Sequence, residues 1–338
     1  MKLGLNLGYW GMGNDADSLV LAQEADRLGY AVAWAAEAYG SDAVTVLTWV
    51  AAQTTNIDIG SAVLQIPART PAMTAMTAAT LDTLSNGRFR LGLGVSGPQV
   101  SEGWHGVRFA KPLARTREYV DIVNLALSRK RVRYDGEYFQ LPLPDGPGKA
   151  LFLTVHPVRE HVPIYLASVG PKNLELTGEI ADGWLSMHVT PDLLAGHLKQ
   201  LEAGTTLRSD GKTLKDLEVI GVANSVLTTD VKSALAAMKP QVALYVGGMG
   251  AKDKNFHKDA MVARGYGEAA DRIQELYLAG RKEEAAAAVP DDYVDDGALV
   301  GPADRIAERF GRWRDAGFTT LRLINAEIPA MEALAKAL

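Results

Sequence analysis

Apolar and polar positions alternate from the first residues of the chain. Leu3, Leu5 and Leu7 share one face of an extended segment, which predicts a strand over Lys2–Gly8. Leu21, Ala25 and Leu28 then recur at i, i+4 and i+7. That spacing predicts a helix, capped by Asn14 or Asp15 and ended by Gly29. Strands are expected over 31–36, 57–63 and 88–93, and helices over Ala43–Gln53, Pro71–Leu84 and 115–128. Four strand–helix units in roughly 130 residues imply a parallel sheet, because parallel strands need crossover connections.

The rhythm breaks at 132–141, where Asp135-Gly136 between β-prone residues signals a hairpin. Residues 142–148 hold three prolines and two glycines and read as a loop. Residues 130–160 are therefore an insertion inside one domain, not a linker. The alternation resumes with strands over 163–167, 183–187, Glu218–Leu227 and Thr320–Ile324. Helices follow over 173–181, 191–204, after Thr229-Asp230 and from Pro329. Residues 241–297 read as a second insertion, helical and irregular. The expected fold is α/β: a single (β/α)8 TIM barrel over 1–338, with a doubly wound open sheet as the alternative.

Composition adds bounds. With 338 residues, 47% hydrophobic and 22% charged, the chain has ordinary globular make-up. A net charge of -5 gives no reason to expect nucleic acid or an anionic membrane surface. No apolar run approaches the ~20 residues that span a bilayer. Cysteine is absent, so thiol nucleophiles, disulfides and cysteine metal sites are excluded, and a cytoplasmic setting is expected. His105, His156, His161, His188 and His257 show no H-x-x-x-H or H-E-x-x-H spacing, so no metal site is expected. Neither a G-x-S-x-G elbow nor a G-x-x-x-x-G-K-[ST] loop occurs.

In such a barrel the chemistry sits on the loops after the strands. Gly92-Leu93-Gly94-Val95-Ser96-Gly97-Pro98 has three glycines that let a flat ligand approach the backbone, or that merely make a tight turn; no helix is expected directly after it. Ala167-Ser168-Val169-Gly170-Pro171-Lys172-Asn173 opens straight into a helix. Its free N–H groups, the Ser168 hydroxyl and the Lys172 charge suit a phosphate; an ordinary proline-led helix start is the alternative. Glu37, after the second strand, reads either as an acid, base or ligand acceptor, or as a salt bridge at the barrel rim. His188 follows the sixth strand, where a structural role is favoured. The acidic run Asp291-Asp292-Tyr293 with Asp295-Asp296 reads as a solvated face.

Taken together, several segments resemble the luciferase-like oxidoreductases, and within them the coenzyme F420-dependent branch of actinobacterial type. They are Glu37-Ala38-Tyr39-Gly40-Ser41-Asp42, Gly60-Ser61-Ala62-Val63 with Ile66-Pro67-Ala68-Arg69-Thr70-Pro71, and Gly94-Val95-Ser96-Gly97-Pro98-Gln99 with Glu102-Gly103-Trp104. Ala167-Ser168-Val169-Gly170-Pro171-Lys172 and Ala181-Asp182-Gly183-Trp184 complete the set. More distantly the chain is similar to methylenetetrahydromethanopterin reductase and to F420-dependent glucose-6-phosphate dehydrogenase. The resemblance implies a non-prolyl cis peptide at Ala62-Val63 behind the deazaflavin ring, and Gly94, Val95, Ser96 and Gly97 along the ring edge. It implies that Ala167, Ser168, Val169, Gly170, Pro171 and Lys172 hold the phosphate and that Glu37 sits near the ring or its side chain. Asn6, Trp10, Gln99, Glu102 and Trp104 are candidate pocket residues, with Glu37, Asn6 and Gln99 nearest the chemistry. Tyr245-Val246-Gly247-Gly248-Met249-Gly250 and Asn255-Phe256 are expected to close over the cofactor.

The implied chemistry is hydride transfer at C5 of the deazaflavin to or from a small organic substrate. The resemblance also implies a homodimer or higher homo-oligomer. Two departures narrow the reaction. The sugar-phosphate dehydrogenases carry a histidine where this chain has Ala38, and the pterin reductases a glutamate near Asn6. The alternatives are an FMNH2-dependent, FMN-binding monooxygenase on the same barrel and a non-catalytic binding barrel.

Overall fold

A computed structural model describes residues 1–11, 15–249 and 255–338. Eight strands pair into a closed parallel ring. They are β1 (Lys2–Gly8), β2 (Val32–Ala35), β3 (Asp58–Ser61), β4 (Phe89–Gly94), β5 (Ile164–Ala167), β6 (Gly183–Leu185), β7 (Glu218–Leu227) and β8 (Thr320–Ile324). Each pairs with the next and β8 pairs with β1, so closure excludes the open sheet. The fold is a (β/α)8 barrel.

By their contacts the described residues divide into two units. The first is Met1–Met187, Leu193–Gly221 and Gly317–Arg322; it holds the ring, to which β7 and β8 contribute their opening residues. The second is His188–Asp192, Val222–Ala316 and Leu323–Leu338. There β7 runs on and pairs, from Asn224 to Leu227, with a strand at Ala298–Gly301. That strand and the helix Ala303–Ala316 are absent from the sequence reading; the four-residue strand carries no period of its own, whereas the helix does, with Ile306, Phe310 and Trp313 buried at i, i+4 and i+7. The 132–141 hairpin is present as Tyr134–Asp135 against Gln140–Leu141. The expected cap Asn14 lies outside the described residues. No helix among the described residues is long and apolar enough to cross a membrane.

The ring interior explains the glycine-rich strands. Two rings fill its middle, Trp34 from β2 and Tyr165 from β5, packed edge to face with centroids 5.5 Å apart. A Cβ at Gly60 would stand 2.4 Å from the Trp34 ring, and one at Gly183 would stand 2.3 Å from the Tyr165 ring. Ile220, Leu185 and Val32 complete the cluster. Gly92, expected to open the backbone to a ligand, is used for packing instead: a Cβ there would lie 1.8 Å from the Ser61 carbonyl oxygen.

Below this layer the lumen is charged. Arg90 donates from Nε to Asp58 at 2.8 Å and from Nη1 to Glu218 at 2.7 Å. Tyr165 donates to the same Glu218 oxygen at 2.7 Å, and Thr320 donates to the other at 2.6 Å. Residues of β3, β4, β5, β7 and β8 thus meet across the barrel. Burial lowers the Arg90 pKa, but Tyr165, Glu218 and Asp58 outweigh it and raise it overall.

A second acidic anchor lies before β6. Asp182 accepts from the Ile164 N–H at 2.9 Å and from Lys212 Nζ at 2.9 Å, and shares a 2.7 Å hydrogen bond with His161 Nε2. Burial pushes its carboxyl up, but these partners outweigh burial and hold it at about 2, against an ordinary 3.8. A depressed carboxylate stabilises the fold above its unfolded pKa and loses that contribution as pH falls through the folded one. Asp182→Asn should therefore remove about 2 kcal/mol at neutral pH and flatten the acid limb between about pH 4 and 2. Chemical denaturation of both proteins across that range checks it, and parallel curves would refute it.

Candidate active site

The site grows from the way β3 ends. Ser61 accepts from the Gly92 N–H at 2.9 Å and donates to the Gly92 carbonyl at 2.8 Å, so its hydroxyl replaces a ladder pair. The peptide bond Ala62–Val63 is cis, as the resemblance implies. Pairing then resumes, with Leu64 beside Leu93 and Gln65 beside Gly94. Residues 62 and 63 are thereby set out of the ladder towards the ring axis. A Cβ at Gly94 would lie 2.6 Å from Val63 Cγ2 and 3.8 Å from Ala167 Cβ. Val63, Gly94 and Ala167, from the ends of three neighbouring strands, therefore make one shelf of small apolar groups. Such a surface accepts the face of a flat ring.

Gln65, which the sequence reading passed over, ties the flanking loops together. Its Nε2 donates to the Ala38 carbonyl at 2.8 Å, and its Oε1 accepts from the Ser96 hydroxyl at 3.1 Å. Ser96 sits in the left-handed region with φ 61. Its backbone is held there between Gly94 and Gly97. A short helix, Pro98–Gly103, does follow this loop directly, contrary to expectation; Pro98 at its first position pre-sets the turn. Gln99 on that helix is exposed.

Glu37 is held in a salt bridge at the end of β2. Arg69 pairs with its Oε1, which also accepts from the Gln65 N–H at 3.0 Å, while Oε2 accepts from the Ala43 N–H at 3.3 Å. Arg69 reaches on to Asp42 at 2.6 Å. The salt-bridge alternative is therefore the one observed, with both carboxylate oxygens accepting hydrogen bonds. Arg69 has no role in the sequence reading beyond its place in a resembling segment; because it lies 32 positions from Glu37, the pairing carries no local signal. Asn6, on β1, stands beside Trp34 on β2. Among the described residues no hydrogen bond joins it to Glu37 or Gln99.

The loop after β5 ends at Gly170, the N-cap of the helix Pro171–Ile180. Nothing lies within 4 Å of a Cβ placed on Gly170, so space remains in front of that helix end. Ser168 does not supply a hydroxyl to it. Thr177 spends its proton on the Asn173 carbonyl, so Ser168, 2.8 Å away and buried, donates to Thr177. Lys172 is exposed and pairs with Glu175 at 2.7 Å.

In the second unit His188 Nε2 and His257 Nδ1 share a 2.6 Å hydrogen bond. Burial holds both imidazoles low, His188 at about 4 and His257 at about 3, so the pair is neutral at pH 7. The acidic run is not merely solvated: Asp295 pairs with Arg305 at 2.7 Å, and Tyr293 is buried beneath Arg264. Tyr245 to Gly248 close the helix Val231–Gly248, and Gly250 lies outside the described residues. A cleft of about 450 Å³ lies before β5 and β6 among Glu160, His161, Asp182, Arg208 and Lys212. Several of its charges are paired with one another, and it sits at the wrong end of the strands for barrel chemistry.

The structure is thus a closed (β/α)8 barrel with an apolar shelf after β3, β4 and β5 and an open helix end after β5. The chain belongs to the luciferase-like monooxygenase family, whose model matches residues 13–320. It is 44% identical over 326 residues to the Mycobacterium tuberculosis protein named Putative coenzyme F420-dependent oxidoreductase Rv3520c, covering 95% of this chain and 94% of that one. It is 28% identical over 302 residues to the 5,10-methylenetetrahydromethanopterin reductase of Archaeoglobus fulgidus, covering 87% and 85%. Its fold matches the coenzyme F420-dependent tetrahydromethanopterin reductase of Methanopyrus kandleri with a TM-score of 0.84, at 23% identity, over 100% of this chain and 98% of that one.

The shelf depends on Gly94 having no side chain. Gly94→Ala should push against Val63 and cost on the order of 1–3 kcal/mol. An unchanged melting temperature would show that the shelf is not packed as described.

Proposed function

We propose that the protein is a coenzyme F420-dependent oxidoreductase that passes a hydride between the deazaflavin and a small organic substrate. The carrying observation is the shelf of Val63, Gly94 and Ala167 behind the cis Ala62–Val63 bond, in a chain so similar to an F420-dependent relative. The shelf supports the ring from one face. Val95 and the Ser96–Gln65 hydrogen bond fix the loop along its edge. The helix end at Gly170, with N–H groups directed outward, receives the phosphate; Lys172 adds charge from the periphery. The cofactor itself supplies the two-electron hydride chemistry at C5. The protein's part is position and exclusion of water from one face. With Glu37 engaged and Ala38 in place of a histidine, the acid or base for the substrate comes from elsewhere than the loop after β2.

Fluorescence titration of the purified protein with F420 and with FMN tests this reading. Tight F420 binding is expected. Binding of FMN alone, with oxygen consumption, would replace it with the monooxygenase reading, and binding of neither would favour a non-catalytic barrel. In the same titration Lys172→Ala should weaken affinity by only a few-fold, because an exposed pair carries little energy.

The reading includes a homodimer in the cytoplasm, with which the absence of cysteine accords. The helices Ala43–Gln53 and Pro71–Leu84 leave Trp49 52%, Met73 50% and Met76 50% exposed. Two such faces suit a self-complementary contact. Sedimentation of Trp49→Glu should show monomers where the parent shows dimers; a monomeric parent would end the idea.

A further inference from the structure

Arg90 and Arg322 both point into the barrel, and of this pair Arg322 has no ion pair among the described residues. Thr320 faces the lumen, since its hydroxyl meets Glu218 there. Side chains alternate along a strand, so Arg322, two residues on, faces the lumen as well. It stands about 6.6 Å nearer the end of the strand that carries the shelf loops. The Lys2 N–H donates to the Thr319 carbonyl at 2.7 Å. Continued along the ladder, that register sets Gly4, which has no side chain, beside Arg322.

Arg90 meets two carboxylates. Arg322 forms no ion pair and no hydrogen bond among the described residues, and its Nε is enclosed without an acceptor. The residue as a whole keeps part of its surface accessible, so the outer end of the guanidinium reaches open space. Burial alone displaces its pKa, down to about 10, with no neighbouring acid opposing it. Nearby, the Trp34 indole N–H is also enclosed without an acceptor, 3.3 Å from where a Gly4 Cβ would be. An unpaired cation at such depth costs several kcal/mol, and proteins retain one where a ligand supplies the counter-charge.

We propose that Arg322 is a ligand-binding residue, whose guanidinium takes an anionic oxygen of the molecule bound in the barrel. The inference rests on the proposed function for the identity of the cofactor. Two sources share the required chemistry: a carboxylate of the substrate, or an oxygen of the cofactor ring that carries negative charge. A planar guanidinium suits either, since it offers paired donors as well as charge.

The test compares the parent with Arg322→Met and Arg322→Lys by F420 fluorescence titration, by calorimetric titration of benzoate into the F420-loaded protein, and by melting temperature without ligand. The ligand-free Arg322→Met protein should melt at or above the parent, because an uncompensated charge has been removed. If the cofactor supplies the oxygen, Arg322→Met weakens F420 binding by roughly ten- to a hundredfold and Arg322→Lys by less. If the substrate supplies it, F420 affinity stays within threefold while benzoate binding to the parent is saturable and is lost in Arg322→Met. Arg322-independent affinity for both probes overturns the proposal, as does a lowered melting temperature with unchanged affinities, which marks a structural arginine. Should the parent bind FMN instead of F420, the cofactor reading fails separately, and the same arms run with FMN judge Arg322. If Arg322→Met does not fold, the graded loss in Arg322→Lys carries the comparison.

Discussion

The pairing of Arg90 with Glu218 and Asp58 is the contact on which the barrel turns. β7 follows β4 by more than a hundred residues, and their ionic groups meet only when the ring is closed. Tyr165 and Thr320 join the same carboxylate, so one glutamate gathers partners from β4, β5 and β8. A buried charge cluster adds little stability over an apolar one, but it is costly to break. That asymmetry favours the one strand order that satisfies every partner. Above it the Trp34 and Tyr165 rings seat against Gly60 and Gly183, where any other residue would collide.

The two ends of the lumen are built on opposite terms. At the end where strands begin, donors and acceptors are matched. At the end where they finish, the backbone leaves its ladder at residues 62 and 63, small residues make a bare shelf, and Arg322 carries a charge without a partner. Interactions left incomplete by the protein are those a ligand can complete. The matched end holds the ring together so that the other end can be kept open.

Several residues with chemical potential serve this support. Glu37 binds Arg69 and two backbone N–H groups, fixing the loop after β2. Ser168 is turned inward to Thr177. Gln65 spans from Ala38 to Ser96 and sets the distance between two loops. The candidate site is thus mostly backbone and small side chains, held by a polar frame one step behind it.

Much of this was legible along the chain. Alternating leucines, amphipathic helices and capping glycines reflect local periods, and they placed the eight strands and the order βαβα that calls for a parallel sheet. The loops after β3, β4 and β5 were legible as well, because barrel geometry puts function there and their residues resemble a family. The fate of individual side chains was not. Whether Glu37 is a base or a salt bridge depends on Arg69, and whether Ser168 faces a ligand depends on Thr177; neither partner is marked by spacing. Nothing in the sequence around Arg322 marks it; only closure of the ring sets it in the lumen without a counter-charge. Local periodicity is written into neighbouring residues, whereas pairing and burial depend on contacts between distant ones, and these exist only in the folded ring.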